Sequence, residues 1–138
     1  MRVLIVEDEP LISLLLEELI ETSGHAVAGV AVTLSQARAI MAAQELDVAF
    51  LDVFLQGQET SVELSRELAE KAIPVLFVTG NEQECRNHRA RAVGYIEKPF
   101  GRRTMIAALD LVEALRAGKP LPAEDPDGLI LFRQQHAA

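Results

Sequence analysis

Acidic, hydroxyl and basic side chains stand at the ends of several short apolar runs in this sequence. Glu7 and Asp8 follow the first run, and Asp52 follows the third. Thr79 closes the fourth run, and Lys98 lies just beyond the fifth. If these runs are parallel strands, their carboxyl ends open onto one crevice, and residues scattered along the chain become neighbours. The pattern therefore predicts one polar site built from the ends of several strands.

The residue types in this site favour phosphoryl chemistry supported by a metal ion. Clustered carboxylates repel one another, and this cost either raises a pKa or attracts a cation. Because the acids offer only oxygen ligands, Mg²⁺ is a better fit than Zn²⁺. Asp52 could then attack phosphorus, while Mg²⁺, Lys98 and Thr79 stabilise the three equatorial oxygens of the phosphoryl group.

Each residue also has a purely structural interpretation. Glu7 and Asp8 could begin a helix, where acids favour the helix dipole. Asp52 could cap a turn, although an acid that directly ends a buried strand is costly without a partner. Thr79 could be an ordinary β-branched strand residue, and Lys98 a solvated lysine. We favour the phosphoryl site because the placement recurs at several strand ends.

The elements that must position this site are strands and helices in alternation. The apolar runs are short and rich in branched residues, which is typical of strands buried on both faces. Alternation with helical stretches predicts an α/β domain with a parallel sheet and crossover helices. The predicted strands are Val3–Val6, Ala26–Ala31, Val48–Leu51, Val75–Val78 and Val93–Ile96, and the predicted helices are Pro10–Ser23, Leu34–Gln44, Gln58–Glu70 and Arg102–Ala117.

Two further stretches carry weaker signals. Asn81–Arg91 has almost no apolar face, so we expect only a short or irregular helix there. Leu129–Phe132 is apolar but very short, and it follows residues that break regular structure. It could dock on its own domain, contact another chain, or be an ordered end, and the first interpretation is favoured. The first helix is predicted to be amphipathic from the spacing of Leu11, Leu14, Leu15, Glu18 and Leu19.

Composition limits the classes of function. The 138 residues, 49% of them hydrophobic, fit one domain with a sizeable core. A formal charge of −8 argues against direct binding of nucleic acid or anionic membrane. Cys85, the single cysteine, cannot form an intrachain disulfide, and neither a signal peptide nor a membrane span is evident. We expect a cytoplasmic protein without membrane insertion.

The sequence resembles the receiver domain of two-component response regulators. The motifs that carry the resemblance are Val3–Glu9, Leu51–Val53, Val78–Gly80 and Tyr95–Phe100. The resemblance implies a flavodoxin-like three-layer sandwich whose five-stranded parallel sheet has the order 2-1-3-4-5, with helices on both faces and a short or irregular fourth helix. It covers residues 1–117 as the receiver domain and leaves 118–138 as a tail without an output domain.

The resemblance also assigns roles at the site. Asp52 is implied to be the phosphoacceptor, and Lys98 to pair with the phosphoryl group. Asp8 is implied to bind Mg²⁺ directly, Glu7 largely through water, and Phe54 through its backbone carbonyl. With Asp52 itself, these residues form the implied metal site.

A second set of implied roles concerns the response and its lifetime. Thr79 is implied to be the switch hydroxyl, and Tyr95 the aromatic that turns inward, although Tyr95 is equally compatible with plain packing. Phe54 and Asn81 are implied to tune how readily water reaches the phospho-aspartate. Pro99 is expected to follow a cis peptide bond that aims Lys98 into the site.

The sequence departs from the commoner receiver pattern at several positions. Gln56 stands where proline is frequent, Gly80 replaces alanine, and fewer residues than usual separate Thr79 from Lys98. These departures resemble an alphaproteobacterial group of single-domain receivers with a Phe-x-Thr-Gly signature, here at Phe77–Gly80.

The leading functional hypothesis is a stand-alone receiver, a phosphoacceptor rather than a classical enzyme, that takes its phosphoryl group from a sensor histidine kinase or a histidine phosphotransfer protein. It would signal to a downstream protein as a monomer or weak homodimer, whether as shuttle, phosphate sink or adaptor. One alternative is a binding adaptor that is not phosphorylated. An aspartate-nucleophile phosphatase is disfavoured because Phe54 occupies the position of its general acid. A nucleotide-binding module is disfavoured because both phosphate-loop glycine motifs are absent.

Overall fold

A computed structural model describes residues 1–55, 60–80, 83 and 92–133 of the chain. Strands and helices alternate from the amino terminus as the sequence predicts. The strands are β1 (Arg2–Val6), β2 (Ala26–Ala31), β3 (Val48–Leu51), β4 (Val75–Thr79), β5 (Gly94–Glu97) and β6 (Leu129–Leu131), and the helices are α1 (Pro10–Thr22), α2 (Leu34–Ala43), α3 (Val62–Glu70) and α4 (Arg102–Arg116).

The strands form one sheet with the order β2-β1-β3-β4-β5-β6. The first five strands pair in parallel, which confirms the predicted order 2-1-3-4-5. The sheet has six strands rather than five, because β6 pairs antiparallel with the outer edge of β5. The short apolar run near the end of the chain therefore docks on its own domain, as favoured from the sequence.

Side chains alternate between the two faces of the sheet and build a core on each. One core joins the strands to α1 and α4, with Phe50 and Leu76 from the sheet packed near Leu16, Ile20 and Leu109. The other core joins the opposite strand faces to α2 and α3. Its members include Leu51, Phe77 and Tyr95 from the strands, and Leu64 and Leu68 from α3. The result is the expected three-layer arrangement, in which the sheet is covered on both faces.

Helix α1 buries only part of the apolar stripe that the sequence predicts. Leu16, Leu19 and Ile20 are buried, whereas Leu11 and Leu14 are 80% and 59% exposed. Of the leucines in the predicted pattern, Leu19 is buried and Leu15 packs against the core, so the prediction is wrong only for Leu11 and Leu14. Leucines are so frequent in this helix that more than one face looks apolar, and sequence spacing alone does not select among them.

Helix α3 begins at Val62, later than the predicted Gln58. Ser61, just before it, donates its backbone N–H to the Val53 carbonyl at 2.9 Å, and Phe54 pairs with Thr60 in a single antiparallel bridge. These contacts hold residues 60 and 61 in a turn before the helix starts. The stretch 81–91, where a short or irregular fourth helix was expected, lies outside the described residues except for Gln83.

Among the helices that the structure describes, none combines the length and the apolar character required to cross a bilayer.

Candidate functional site

Three carboxylates meet where β1 and β3 end. Val6 and Leu51 are opposite each other in the parallel register, so Glu7, Asp8 and Asp52 follow at the same edge of the sheet. One ligand oxygen from each of these three acids lies within 4.8 Å of the others. Backbone bonds fix both chain segments, since Asp52 N donates to the Val6 carbonyl at 2.8 Å and Glu7 N donates to the Ala31 carbonyl at 2.9 Å. The strand ends thus bring together the acids that the sequence singled out.

Lys98 is the cation that this acidic group holds. Its Nζ lies 2.7 Å from Oε1 of Glu7 and 3.1 Å from Oδ2 of Asp52. Burial by itself would lower the pKa of Lys98, but the contacts with Glu7 and the negative charge of Asp52 outweigh burial and raise the pKa. Lys98 therefore stays charged across the physiological pH range.

Glu7 is the most deeply buried of the three acids, with only 1% of its surface exposed. Burial, followed by the interaction with Asp52, raises the pKa of Glu7 to about 7, against a lowering contribution from Lys98. Without a further cation, a substantial fraction of Glu7 thus keeps its proton near neutral pH. Removal from water is the main cost of the charged form, and the neighbouring Asp52 adds to that cost.

The donor set of this site suits a hard divalent cation. All three acids present carboxylate oxygens, which such cations prefer. Oε1 of Glu7 is buried and, among the described residues, has no partner in hydrogen-bond geometry, even though the Lys98 ammonium is close by. A second positive charge would satisfy that oxygen and relieve the repulsion between Glu7 and Asp52.

Thr79 and Lys98 are placed by the pairing of β4 with β5. Thr79 is the last residue of β4, is 2% exposed, and lies opposite Glu97 in the register. Its carbonyl accepts a hydrogen bond from the Lys98 backbone N–H at 3.0 Å. The Lys98–Pro99 peptide bond is cis, as expected. The threonine predicted for the site is therefore tied directly to the lysine that enters it.

Tyr95 is buried, with 1% of its surface exposed. It belongs to the core on the α2 and α3 face, and its ring centroid lies 5.6 Å from that of Phe132, with the planes inclined at 40°. The sequence left packing and movement equally open for this residue, and the structure shows a packed position. Its aromatic neighbour, just beyond β6, was not anticipated.

Of the two residues predicted to tune the lifetime of the phospho-aspartate, Phe54 lies within the part of the chain that the structure describes. Phe54 lies two positions after Asp52 and is 42% exposed. Asn81 lies outside the described residues.

Two residues near the site were missed in the sequence. Ser61 is fully buried, and its hydroxyl donates to the backbone carbonyl of Asp52 at 2.5 Å. Glu9 donates its backbone N–H to Oε2 of Glu7 at 3.2 Å, and its own carboxylate lies 3.6 Å from Lys98 Nζ. Nothing in a polar stretch marks Ser61 as a support for Asp52, whereas Glu9 could have been noticed as a third consecutive acidic position.

Comparisons with known proteins agree with this geometry. The chain is 35% identical over 102 residues to the phyllosphere-induced regulator PhyR of Methylorubrum extorquens. The aligned region covers 72% of this chain and 38% of PhyR. The chain is 29% identical to Protein PilH of Pseudomonas aeruginosa, covering 82% of this chain and 98% of PilH. The chain thus spans well under half of the PhyR relative and nearly all of PilH.

A solved structure supports the same assignment. The solution structure of SdrG from Sphingomonas melonis Fr1 superposes with a TM-score of 0.71 at 34% identity, covering 82% of this chain and 96% of SdrG. The family model described as the response regulator receiver domain matches residues 3–110. This chain belongs to the response regulator receiver domain family of two-component signalling.

Proposed function

We propose that this protein accepts a phosphoryl group on Asp52 from a phosphohistidine of a sensor histidine kinase or a histidine phosphotransfer protein. In that step the N–P bond of the phosphohistidine breaks, and a bond forms between phosphorus and a carboxylate oxygen of Asp52. The observation that carries the proposal is the contact of one ammonium, Lys98 Nζ, with Asp52 at 3.1 Å and Glu7 at 2.7 Å inside a cluster of three acids.

The proposed metal is Mg²⁺, held by Glu7, Asp8 and Asp52 together with the backbone carbonyl of Phe54. When bound, Mg²⁺ would neutralise charge on the phosphoryl oxygens. Lys98 contributes a second positive charge that is already in place before the reaction, so little reorganisation is needed as charge develops. The close approach of three carboxylates, of which Glu7 and Asp52 contact the single ammonium of Lys98, supports this use of the acidic group.

The conformational response is proposed to involve Thr79 and Tyr95. Thr79 contributes a hydroxyl beside the phosphoryl group, and its carbonyl already holds the backbone of Lys98. Tyr95 lies in the adjacent strand, opposite Phe77 of β4. Phosphorylation would then alter a surface that a downstream protein reads, with Phe54 and Asn81 controlling the access of water and hence the lifetime of the mark.

The direct test is intact-mass spectrometry of the wild-type protein after incubation with a small phosphoryl donor. We expect a mass increase of one phosphoryl group with Mg²⁺ and none when a chelator is present. The bond should be cleaved by hydroxylamine, as acyl phosphates are. A mass that stays unchanged with donor and Mg²⁺ would refute the proposal and leave the binding adaptor as the better explanation.

Replacing Asp8 by asparagine is expected to weaken Mg²⁺ binding by at least about tenfold. Loss of a residue that only supports a metal ligand typically costs about tenfold or more in affinity, and loss of a ligand should cost no less. The reason is that a neutral amide oxygen replaces a charged ligand in a three-acid group. Calorimetric titration with Mg²⁺ measures the change. Glu9→Gln is the matched control because it removes a neighbouring exposed charge outside that group. Equal losses in both variants would show only a general field effect.

A further inference from the structure

The segment at the end of the described chain is joined to β5 by backbone pairing and by an aromatic contact. In the β5–β6 register, Tyr95 lies opposite Ile130. Just after β6, the Phe132 backbone N–H donates to the Val93 carbonyl at 2.8 Å. The Phe132 ring lies against that of Tyr95, with centroids 5.6 Å apart. Residues 129–132, hereafter the terminal strap, are therefore held on β5 by backbone pairing and by this ring contact.

The terminal strap is built into both cores. Leu129 and Leu131 are buried in the core on the α1 and α4 face, while Ile130 and Phe132 pack against the core on the opposite face. Arg133, the next residue, ties the strap to the preceding segment through hydrogen bonds to the Pro122 carbonyl at 2.8 Å and to Asp125 at 2.9 Å. A strand with alternate residues in two cores is docked specifically rather than lying loosely on the surface.

Gly94 makes this close pairing possible. A Cβ atom at this position would overlap the carbonyl oxygen of Ile130 and crowd Leu131. Backbone of the terminal strap thus occupies the space that a side chain of β5 would need. The absence of a side chain at Gly94 is a local requirement of strap docking, which gives an independent way to disturb it.

Strand β5 leads straight into the site. The residue after Glu97, its last member, is Lys98, whose Nζ contacts Asp52 and Glu7. The position of β5 is therefore set on one side by β4 and on the other by the terminal strap. Disturbing the strap is therefore expected to loosen the strand from which the site lysine extends.

We propose that Phe132 is a positioning residue that keeps Tyr95 buried and β5 fixed, and that docking of the terminal strap and phosphorylation of Asp52 stabilise each other. The second half rests on the function proposed above. The reasoning is thermodynamic: a strap that holds Lys98 in place favours the phosphoryl group, and by reciprocity the phosphoryl group favours the docked strap.

The first test needs no phosphorylation. Tyr95 is the single tyrosine and the chain has no tryptophan, so tyrosine emission reports this position alone. Phe132→Ala is expected to increase quenching of that emission by acrylamide, because the ring loses its cover. Leu121→Ala is the matched control, since Leu121 lies in the same end of the chain but packs against the other core. Equal quenching in Phe132→Ala and wild type would overturn the positioning role.

A second variant disturbs the strap without removing Phe132, and so shows whether the change in quenching comes from strap docking or from a general loss of folding. Gly94→Ala changes no aromatic residue but blocks the approach of the Ile130 backbone. It should raise tyrosine quenching in the same direction as Phe132→Ala. Gly101→Ala, where an added Cβ meets nothing within 4 Å, is its control. A Gly94→Ala protein with wild-type quenching and a cooperative unfolding transition would count against the strap.

The coupling is tested with beryllofluoride, a phosphoryl mimic, plus Mg²⁺. Fluorine NMR reports whether the mimic is bound, and hydrogen exchange reports the backbone amides of residues 129–132. We expect slower exchange there on binding, and binding about twofold to tenfold weaker in Phe132→Ala, the range of one aromatic pair.

The outcomes separate the two proposals. Bound beryllofluoride with unchanged exchange in the terminal strap would overturn the coupling while leaving the phosphoacceptor role intact. Failure of the mimic to bind wild-type protein would remove the proposed function and the coupling together. The tyrosine measurement would then still decide whether Phe132 holds Tyr95.

Discussion

Asp52→Asn is expected to abolish phosphoryl labelling of this protein. The amide that replaces the carboxylate is a poor nucleophile towards phosphorus, and the variant also loses one charged oxygen ligand from the three-acid group. Intact-mass spectrometry after incubation with donor and Mg²⁺ should show no added phosphoryl group. The fold should persist, because removal of one of three clustered acids also removes repulsion within a buried group.

The control for this variant is Asp110→Asn, which changes an exposed aspartate on α4 in the same way. It should be labelled as fully as wild type. Labelling of Asp52→Asn at the wild-type level would place the phosphoryl group elsewhere and contradict the assignment of Asp52.

Lys98→Ala is expected to slow phosphoryl labelling by about a hundredfold or more, the typical cost of losing one preorganised charge-stabilising donor. In this variant the buried Glu7 and Asp52 also lose their shared ammonium partner. The pKa of Glu7, to which Lys98 makes a lowering contribution, should rise further. The labelling rate is measured by the time course of the mass change.

A measurement of thermal stability separates the loss of charge stabilisation in Lys98→Ala from a general loss of folding. With the ammonium gone, a divalent cation becomes the remaining partner of the acids, so Mg²⁺ should raise the melting temperature of Lys98→Ala more than that of wild type. Lys119→Ala, which removes an exposed lysine, should match wild type in both measurements. A Lys98→Ala protein that is labelled at the wild-type rate would contradict the role given to this lysine.

The sequence predicted the parts of the fold and site that depend on regular alternation. Parallel strands must end at the same edge of a sheet, so the convergence of Asp52, Glu7 and Lys98 follows once the strands are recognised. The parallel order of the first five strands could likewise be expected, and the structure confirms it. In this region local pattern and long-range packing favour the same arrangement.

Other features were set by packing that sequence periodicity does not encode. Tyr95 packs against Phe132, a residue far along the chain in a run too short to be recognised as a strand. The exposure of Leu11 and Leu14 reflects the choice of one apolar face of α1 among several. The support of Asp52 by the Ser61 hydroxyl depends on a turn whose geometry appears only in three dimensions.

The antiparallel strand β6 also affects how this molecule behaves beside copies of itself. An uncovered β5 would present a row of backbone N–H and C=O groups to solvent, and such rows invite pairing with strands of neighbouring molecules. Residues 129–131 pair with these backbone groups, so β5 is an internal strand and its outer edge is not open to strands of other molecules. Loss of these few residues would therefore endanger colloidal stability as well as internal order.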